Sequence, residues 1–546
     1  MPPKDIRRRA LRFLLEYGIL IVILVVGLYV WVSIFQAAVV DYLDSDNWVT
    51  RHVWLGPGAN PGEFDFFGLT IYYQFEGYSD YSFYYVHWGH NMLHGVLPYS
   101  GDFGKIVIDG VSNANGAYMF PPLTVILYAI GILLPVTEWG IGLLLAAFGY
   151  LTVFPVYGLG KELSGNRHVG EVAAFTYIFA PNVLYHTTFL WMNPSPFIFF
   201  FFFGFYMLVV GRRHLGTLLI VTAALFKQTA WLLGIPLVVY LLVKAQPAKS
   251  KEETAHSETA AISSAENGVS SDAPKPRLIH RIIGTLREYF DLREFAVSVV
   301  LVLGFAGAIL YPFFVANPNL WNFLRLAFGA FKMESFTEVP GYGVPIRLQV
   351  LFVVAGLPNL AEIVDYMVYS GGLLIMGVLV FWGLMILEQK YEGQRRVYLR
   401  RILFFTLLMM LWVNIAGPRG VFKYYFTMFA PFFSIYSSTT MCTSMEEKVR
   451  FSTSMIWVPF LLSFMILIPS RNIYLAYVIA IFVGYLLSKK LGTTWHQATF
   501  PIHLVKKRLS TRISPLRAFL NRPKQRLFDY AYEGTKIQDP KKMTEA

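Results

Sequence analysis

The chain has 546 residues, 55% of them hydrophobic and 15% charged, with a formal net charge of +12. That charge content lies well below the quarter typical of soluble chains, and apolar runs of about 20 residues recur, which excludes a string of soluble domains and predicts membrane spans. The basic residues cluster beside those runs, which argues for orientation in a membrane and against nucleic acid as a partner, and the single cysteine, Cys442, excludes an intramolecular disulfide.

In chain order, Lys4, Arg7, Arg8, Arg9 and Arg12 precede an apolar run at 19–40. The run is too long for a signal-peptide core, and no small-residue cleavage site follows it. It predicts a retained first helix with its N-terminus in the cytoplasm. Residues 41–118 are polar and aromatic and are expected to face outward. Apolar runs follow at 120–135, 141–159, 169–190, 197–210 and 215–243. Residues 244–291 are rich in Ser, Ala, Glu, Lys and Pro and predict a disordered cytoplasmic loop. Runs resume at 295–315, 346–356, 364–387, 402–416, 421–441, 455–469 and 473–487. The basic tail, 489–546, carries Lys506, Lys507, Arg508, Arg512 and Arg517 and is expected in the cytoplasm.

The predicted fold is an all-α polytopic membrane helical bundle of ~11–13 spans, with short amphipathic helices in the first outward loop. Its membrane halves are residues 1–243 and 292–488, and the cell membrane is the expected location. Continuous apolar runs exclude a β-barrel, whose strands alternate. One conflict stands. Lys161 and Arg167 in one short loop, and Arg212 and Arg213 in another, belong in the cytoplasm by their charge, whereas simple alternation from the first helix tends to place them outside.

The outward loop concentrates the acidic residues: Asp41, Asp44, Asp46, Glu63, Asp65, Glu76, Asp80, Asp102 and Asp109. Within it, Ser79 is a candidate cap for a helix that Gly95 ends, with Pro98 beyond. At about 100° per residue, Asp80, Tyr84, His87, Asn91 and His94 share one face of that helix, opposite Phe83, Val86 and Leu93. This face is the expected substrate-binding surface. Asp80 admits two readings: a general base on a sugar hydroxyl, or a first-turn charge favoured by the helix dipole. His87, His90 and His94 admit metal binding or hydrogen bonding to an acceptor. The Asp41, Asp44 and Asp46 group admits a divalent cation (Mg or Mn, with Asp44 and Asp46 as ligands) or a solvated loop start.

Three stretches resemble a known family. Asp80-Tyr81-x-x-Tyr84, Gly95-x-x-Pro98-Tyr99 and Phe120-Pro121-Pro122-Leu123 resemble the first outward loop of the GT-C glycosyltransferases. They look most like the prokaryotic polyprenyl-phosphate-mannose-dependent mannosyltransferases and the related GPI mannosyltransferase. Phe226-Lys227-Gln228-Thr229-Ala230-Trp231, followed by Pro236-Leu237, resembles the family's lysine-bearing segment. Gly417-Pro418-Arg419-x-x-x-Lys423-Tyr424-Tyr425-Phe426, followed by Pro431, resembles a late segment before one of its last spans. The resemblance implies that Asp80 is the catalytic base or binds a metal. It further implies a polyprenyl-phosphate sugar donor, mannose as the sugar, and a glycan, lipid or protein acceptor. One departure bears on metal dependence: many relatives carry an Asp-x-Asp pair where this chain has Asp80 and Ser82.

A phosphate leaving group needs its charge stabilised, and Lys227, Arg419 and Lys423 are the candidates; phospholipid headgroups and snorkelling are their alternative uses. Gln228, Tyr424 and Tyr425 are the remaining candidate substrate-binding residues. The expected reaction is an inverting sugar transfer on the outer face. The alternatives are a transporter or flippase of lipid-linked sugars, or a polysaccharide ligase or polymerase. Transporters tend toward internal repeats and mid-membrane charges, and the concentration of carboxylates in one outward loop favours an enzyme.

Overall fold

The computed structural model describes residues 3–44, 62–66, 69–73, 80–99, 103, 106–108, 111–113, 118, 120–136, 139–247, 287–316, 348–354, 356–417 and 423–465. The chain is an all-α polytopic membrane protein. Among the described residues, four helices are long and apolar enough to cross a bilayer: Arg7–Leu43, Gly140–Ser164, Leu292–Val315 and Arg395–Ala416. Pro358–Tyr369 and Gly372–Leu387, bent by 72°, make a broken fifth. Helix α1 (Pro3–Asp44) keeps large apolar side chains such as Val22, Val25 and Tyr29 exposed along its length, as a lipid-facing helix does. Two short antiparallel hairpins lie in the first loop, Gly62–Phe66 with Leu69–Tyr73 and Ile106–Ile108 with Val111–Asn113. Residues 248–286 and 466–546, which contain most of the expected cytoplasmic loop and the whole basic tail, lie outside the described residues.

After the loop come α2 (Val86–Leu93), α3 (Pro122–Leu133), α4 (Gly140–Leu151), α5 (Val153–Ser164) and α6 (Arg167–Ile178). Next are α7 (Ser195–Val209), α8 (Arg213–Phe226) and α9 (Gly234–Leu242), the last entered through a 3₁₀ turn at Gln228–Leu233. Beyond residue 287 lie α10 (Leu292–Ala316), α11 (Leu348–Val354), α12 (Pro358–Tyr369), α13 (Gly372–Leu387) and α14 (Arg395–Ala416). A 3₁₀ turn at Lys423–Met428 then leads to α15 (Ala430–Ile435). The helices close on small residues. Gly160 meets Gly170 between α5 and α6, and Gly204 meets Gly216 between α7 and α8, so the backbones approach as membrane helices do where no Cβ intervenes.

The bundle has two chemically different ends. At one end, Arg167 Nη1 donates to the Leu15 carbonyl near the start of α1 at 3.4 Å, and Arg396 pairs with Glu162 at 3.8 Å. Arg400, fully buried, donates to the carbonyls of Leu163, Ser444 and Glu446 at 3.0, 2.5 and 2.9 Å. Lys390 Nζ caps the end of α9 through the Tyr240 and Val243 carbonyls at 3.1 and 3.2 Å, and Arg395 reaches the Leu208 carbonyl and the Tyr240 hydroxyl. Lys161, Arg167, Arg212 and Arg213 therefore all sit at the end that holds the start of α1. The other end holds the loop that follows α1, and Tyr42, near the end of α1, packs edge-on against Tyr81 there.

Two apolar runs do not cross as expected. Run 120–135 forms α3, whose two ends both meet the loop end: Thr124 Oγ1 donates to the Phe226 carbonyl, while Gly131 abuts Gly140 and Ile141 at the start of α4. Run 215–243 is not one span but a hairpin of two legs with Lys227 at its apex, since Arg213 and Tyr240 share the basic end. With α3 lying along the loop end, alternation and charge agree, and the conflict over the basic loops disappears.

Among the described residues, two large apolar clusters fill the bundle, with a third of a few residues where α12 and α13 meet α14. The larger joins α5–α9 with α14 and α15. The smaller is aromatic and joins the loop end of α1 with α2, α3 and α4 through Tyr42, Tyr81, Tyr85, Trp88, Tyr118, Tyr128 and Trp191. Phe226 and Tyr424 pack against both, so the seam between the clusters runs beside Lys227.

Candidate functional site

Asp80 stands at the head of a π-helical turn, Tyr81–Tyr85, that runs into α2. No side-chain capping hydrogen bond from Asp80 closes that turn, and its place at the head of the turn suits both the general-base and the helix-dipole reading. The wide π turn directs Tyr81 and Tyr85 inward, both fully buried. The Tyr81 hydroxyl accepts the Gly142 N–H at 3.0 Å, and its ring lies 4.8 Å from Trp191. Tyr85 stacks on Tyr128 with ring centroids 4.7 Å apart and planes 17° from parallel. Burial pushes the Tyr85 hydroxyl well above the usual phenol range, and the neighbouring Tyr128 and the negative charge of Asp80 add to that rise.

The π turn also breaks the face expected of a regular helix. Tyr84 is half-buried and stacks on Trp88 at 5.1 Å. His87 is half-buried. Asn91 Nδ2 donates to the Phe103 carbonyl at 3.0 Å, and His94 Nδ1 lies 2.8 Å from the His90 carbonyl at the exposed end of α2. Gly95 ends the helix with φ of 79°, as its position predicts. Asn91 and His94 thus bind within their own loop, one lag of phase away from the Asp80 turn.

Lys227 lies at the break between α8 and the following 3₁₀ turn, in an extended conformation (φ −147°, ψ 131°). A helix interrupted inside a membrane frees backbone groups that need partners. Here the Thr124 hydroxyl takes the Phe226 carbonyl, and the Ala230 N–H takes the Lys227 carbonyl at 2.9 Å. The lysine side chain is buried, 6% exposed. Its Nζ donates to Asn193 Oδ1 at 3.2 Å and stands 4.9, 5.5 and 5.9 Å from the ring centres of Tyr425, Tyr424 and Phe197. Gln228 is half-buried beside it.

Asn193 comes from the connector between α6 and α7, and sequence reasoning missed it. The available signal was an amide in Trp191-Met192-Asn193-Pro194, a short polar break between two apolar runs. The connector is strained: Trp191 is fully buried with φ of 51°, a left-handed conformation rare for a large residue. Gly142 makes room for its indole. The carboxamide of Asn193 also lies by the Tyr128 hydroxyl, and its backbone N–H by that of Tyr85, near enough to favour ionised phenol in each case. Neither hydroxyl reaches ordinary hydrogen-bond geometry.

The Asp80 turn, Lys227 and the Tyr424–Tyr425 segment are thereby joined through Tyr85, Tyr128 and Asn193. Arg419 lies outside the described residues, and Lys423 is described only by its backbone, as the first residue of a 3₁₀ turn. Asp44 is the last residue of α1, and Asp46 lies outside the described residues. Among the described residues, no group of three His, Cys, Asp or Glu side chains is placed to hold a metal ion.

No protein-family model matches the chain, and no curated protein matches it significantly. Two solved structures of the Archaeoglobus fulgidus oligosaccharyltransferase are similar to it at 13% identity. The apo form gives a TM-score of 0.37 and covers 84% of this chain and 55% of its own. The form tethered by a disulfide to an acceptor peptide containing the NVT sequon gives 0.31, 85% and 55%. The chain thus matches about half the length of those structures.

Proposed function

We propose that this protein is a membrane glycosyltransferase of the GT-C type, transferring a sugar from a polyprenyl-phosphate donor to an acceptor hydroxyl with inversion. One observation carries the reading: a carboxylate at the head of the π turn and a buried lysine, from segments far apart in sequence, are joined through one short set of polar and aromatic side chains. The chemistry suits the two groups. Asp80 takes the proton of the acceptor hydroxyl as its oxygen attacks the anomeric carbon. The bond from that carbon to the phosphate oxygen breaks, and the electron pair leaves with the polyprenyl phosphate. Lys227 offsets the charge gathered on the departing phosphate, where low dielectric and fixed geometry make a cation most effective. Tyr424 and Tyr425 offer flat faces for a sugar ring beside that cation.

The position of Lys227 supports a lipid-borne donor. Helix α8 has 14 residues from the basic end to the break, a rise of about 21 Å. That is several ångströms less than the ~30 Å hydrocarbon thickness. The lysine therefore sits below the far interface, at a depth that a phosphate on a membrane-embedded chain can reach and a free sugar nucleotide reaches poorly. The rule that basic loops stay inside puts the α1 start in the cytoplasm and the Asp80 end on the outer face of the cell membrane. Mannose is the first sugar to test, and a glycan, lipid or protein supplies the acceptor hydroxyl; Arg419 and Lys423 are further candidates for the phosphate.

The test uses purified protein in lipid nanodiscs, a set of labelled polyprenyl-phosphate hexoses, and membrane-extract acceptors. Release of polyprenyl phosphate together with a new glycosidic product of inverted configuration supports the reading. Movement of the donor across sealed vesicles without covalent transfer overturns it in favour of a flippase.

A further inference from the structure

Asn193 holds a place in this site that neither Asp80 nor Lys227 explains. It is buried, 8% exposed, and its Oδ1 accepts from the Lys227 ammonium at 3.2 Å. An ammonium has three donors and no acceptor, so the carboxamide must present its oxygen to Lys227. The same carboxamide lies beside the hydroxyl of Tyr128, which is buried and has no partner in ordinary hydrogen-bond geometry. The Asn193 backbone N–H faces Tyr85, whose buried hydroxyl is in the same condition. Both phenols feel the charge of Asp80. The connector bearing Asn193 is pinned by Trp191, whose ring is wedged among Phe35, Tyr42 and Tyr81 at 5.4, 5.4 and 4.8 Å.

We infer that Asn193 is a positioning residue that sets the Lys227 ammonium for the donor phosphate and keeps it in register with the Asp80 turn through Tyr85 and Tyr128. This rests on the transferase reading and adds to it the group that couples the phosphate side of the site to the base side. A neutral amide suits the task. It orients the cation without neutralising it, whereas a carboxylate in the same place would compete with the phosphate for Lys227.

The experiment compares Asn193→Asp, which is isosteric, Asn193→Leu, and each combined with Lys227→Met. Two readouts are taken in nanodiscs: binding of a polyprenyl monophosphate without sugar, and the donor KM and kcat of transfer. Loss or neutralisation of one hydrogen bond to a charged group amounts to roughly ten- to hundredfold. Asn193→Asp is expected to weaken monophosphate binding and raise the donor KM by about that factor, with its melting temperature unchanged or higher. In the Lys227→Met background either Asn193 substitution is expected to add less than about threefold, because interacting residues are not additive. Full monophosphate affinity in Asn193→Asp overturns the inference, and so do effects that multiply in the double variants. The two ideas fail separately. If the wild type binds monophosphate and Asn193→Asp does not, yet no sugar is ever transferred, the transferase reading falls and the coupling stands. If transfer proceeds with an unchanged donor KM in Asn193→Asp, the coupling falls and the transferase stands.

Discussion

The Lys227 ammonium stands 4.9 Å over the ring of Tyr425, and this contact ties the two membrane halves of the chain together beside the seam between the larger apolar cluster and the aromatic one. Lys227→Met removes that charge while keeping the length and apolar body of the side chain. The expected loss is on the order of 10²–10³-fold in kcat, by analogy with removing one group that stabilises developing negative charge. Lys227→Arg is expected to rescue poorly, since a planar fork does not fit where a compact ammonium is enclosed by three rings. Steady-state kinetics on folded, reconstituted protein checks both, and full activity in Lys227→Met would remove the lysine from the mechanism.

Gly142 tests how the connector is held. A Cβ at this position in α4 would run into the indole of Trp191, which is fully buried and would have to shift. Gly142→Ala gains helix propensity, yet overpacking of this kind costs about 1–3 kcal/mol. The predicted outcome is a lower melting temperature in detergent together with reduced transfer, because the displaced Trp191 carries Asn193 with it. An unchanged melting temperature would show that the connector gives way freely.

Arg400 marks the opposite, structural end. It donates to three backbone carbonyls from two segments, the end of α5 at Leu163 and the loop at Ser444 and Glu446. Arg400→Ala strands buried acceptors and opens a cavity, at a cost of about 3–5 kcal/mol. Lysine cannot span the same three carbonyls, so Arg400→Lys is expected to recover little of that loss. Yield and thermal stability should fall in both variants while activity per folded molecule holds. A selective loss of kcat at normal stability would give Arg400 a role that its position does not suggest.

The membrane character of the chain was legible in its apolar runs, but their paths were not. Hydropathy reports how apolar a run is, not whether it crosses, lies along one end, or turns back. Run 120–135 lies along the loop end as α3, and run 215–243 folds at Lys227 because Lys227 leaves the helix in an extended conformation. Asp80 stood out as the acidic residue at the start of the amphipathic stretch, and Lys227 and Tyr424 through the resemblance of their segments to a known family. Asn193 did not, since an uncharged amide before a proline reads as an ordinary helix start. Asn91 and His94 were placed on the Asp80 face by a regular helical phase that the π turn at Tyr81–Tyr85 interrupts.

The ends of the bundle can be assigned with single cysteines, because Cys442 is the only native one and is buried. His94 lies exposed at the loop end, and Arg213 lies exposed at the basic end. In intact cells a membrane-impermeant maleimide is expected to label His94→Cys and to leave Arg213→Cys unlabelled until the cells are permeabilised. The opposite pattern would place the Asp80 turn in the cytoplasm.

The most direct test of the account is the transfer rate of Asp80→Asn. The substitution preserves shape and removes only the proton-accepting charge, and the carboxylate makes no capping bond whose loss would unfold the turn. The account predicts unchanged insertion, unchanged melting temperature and unchanged binding of polyprenyl monophosphate, with transfer slowed by about 10²–10⁴-fold. A correctly inserted Asp80→Asn protein that transfers sugar at the wild-type rate would contradict it.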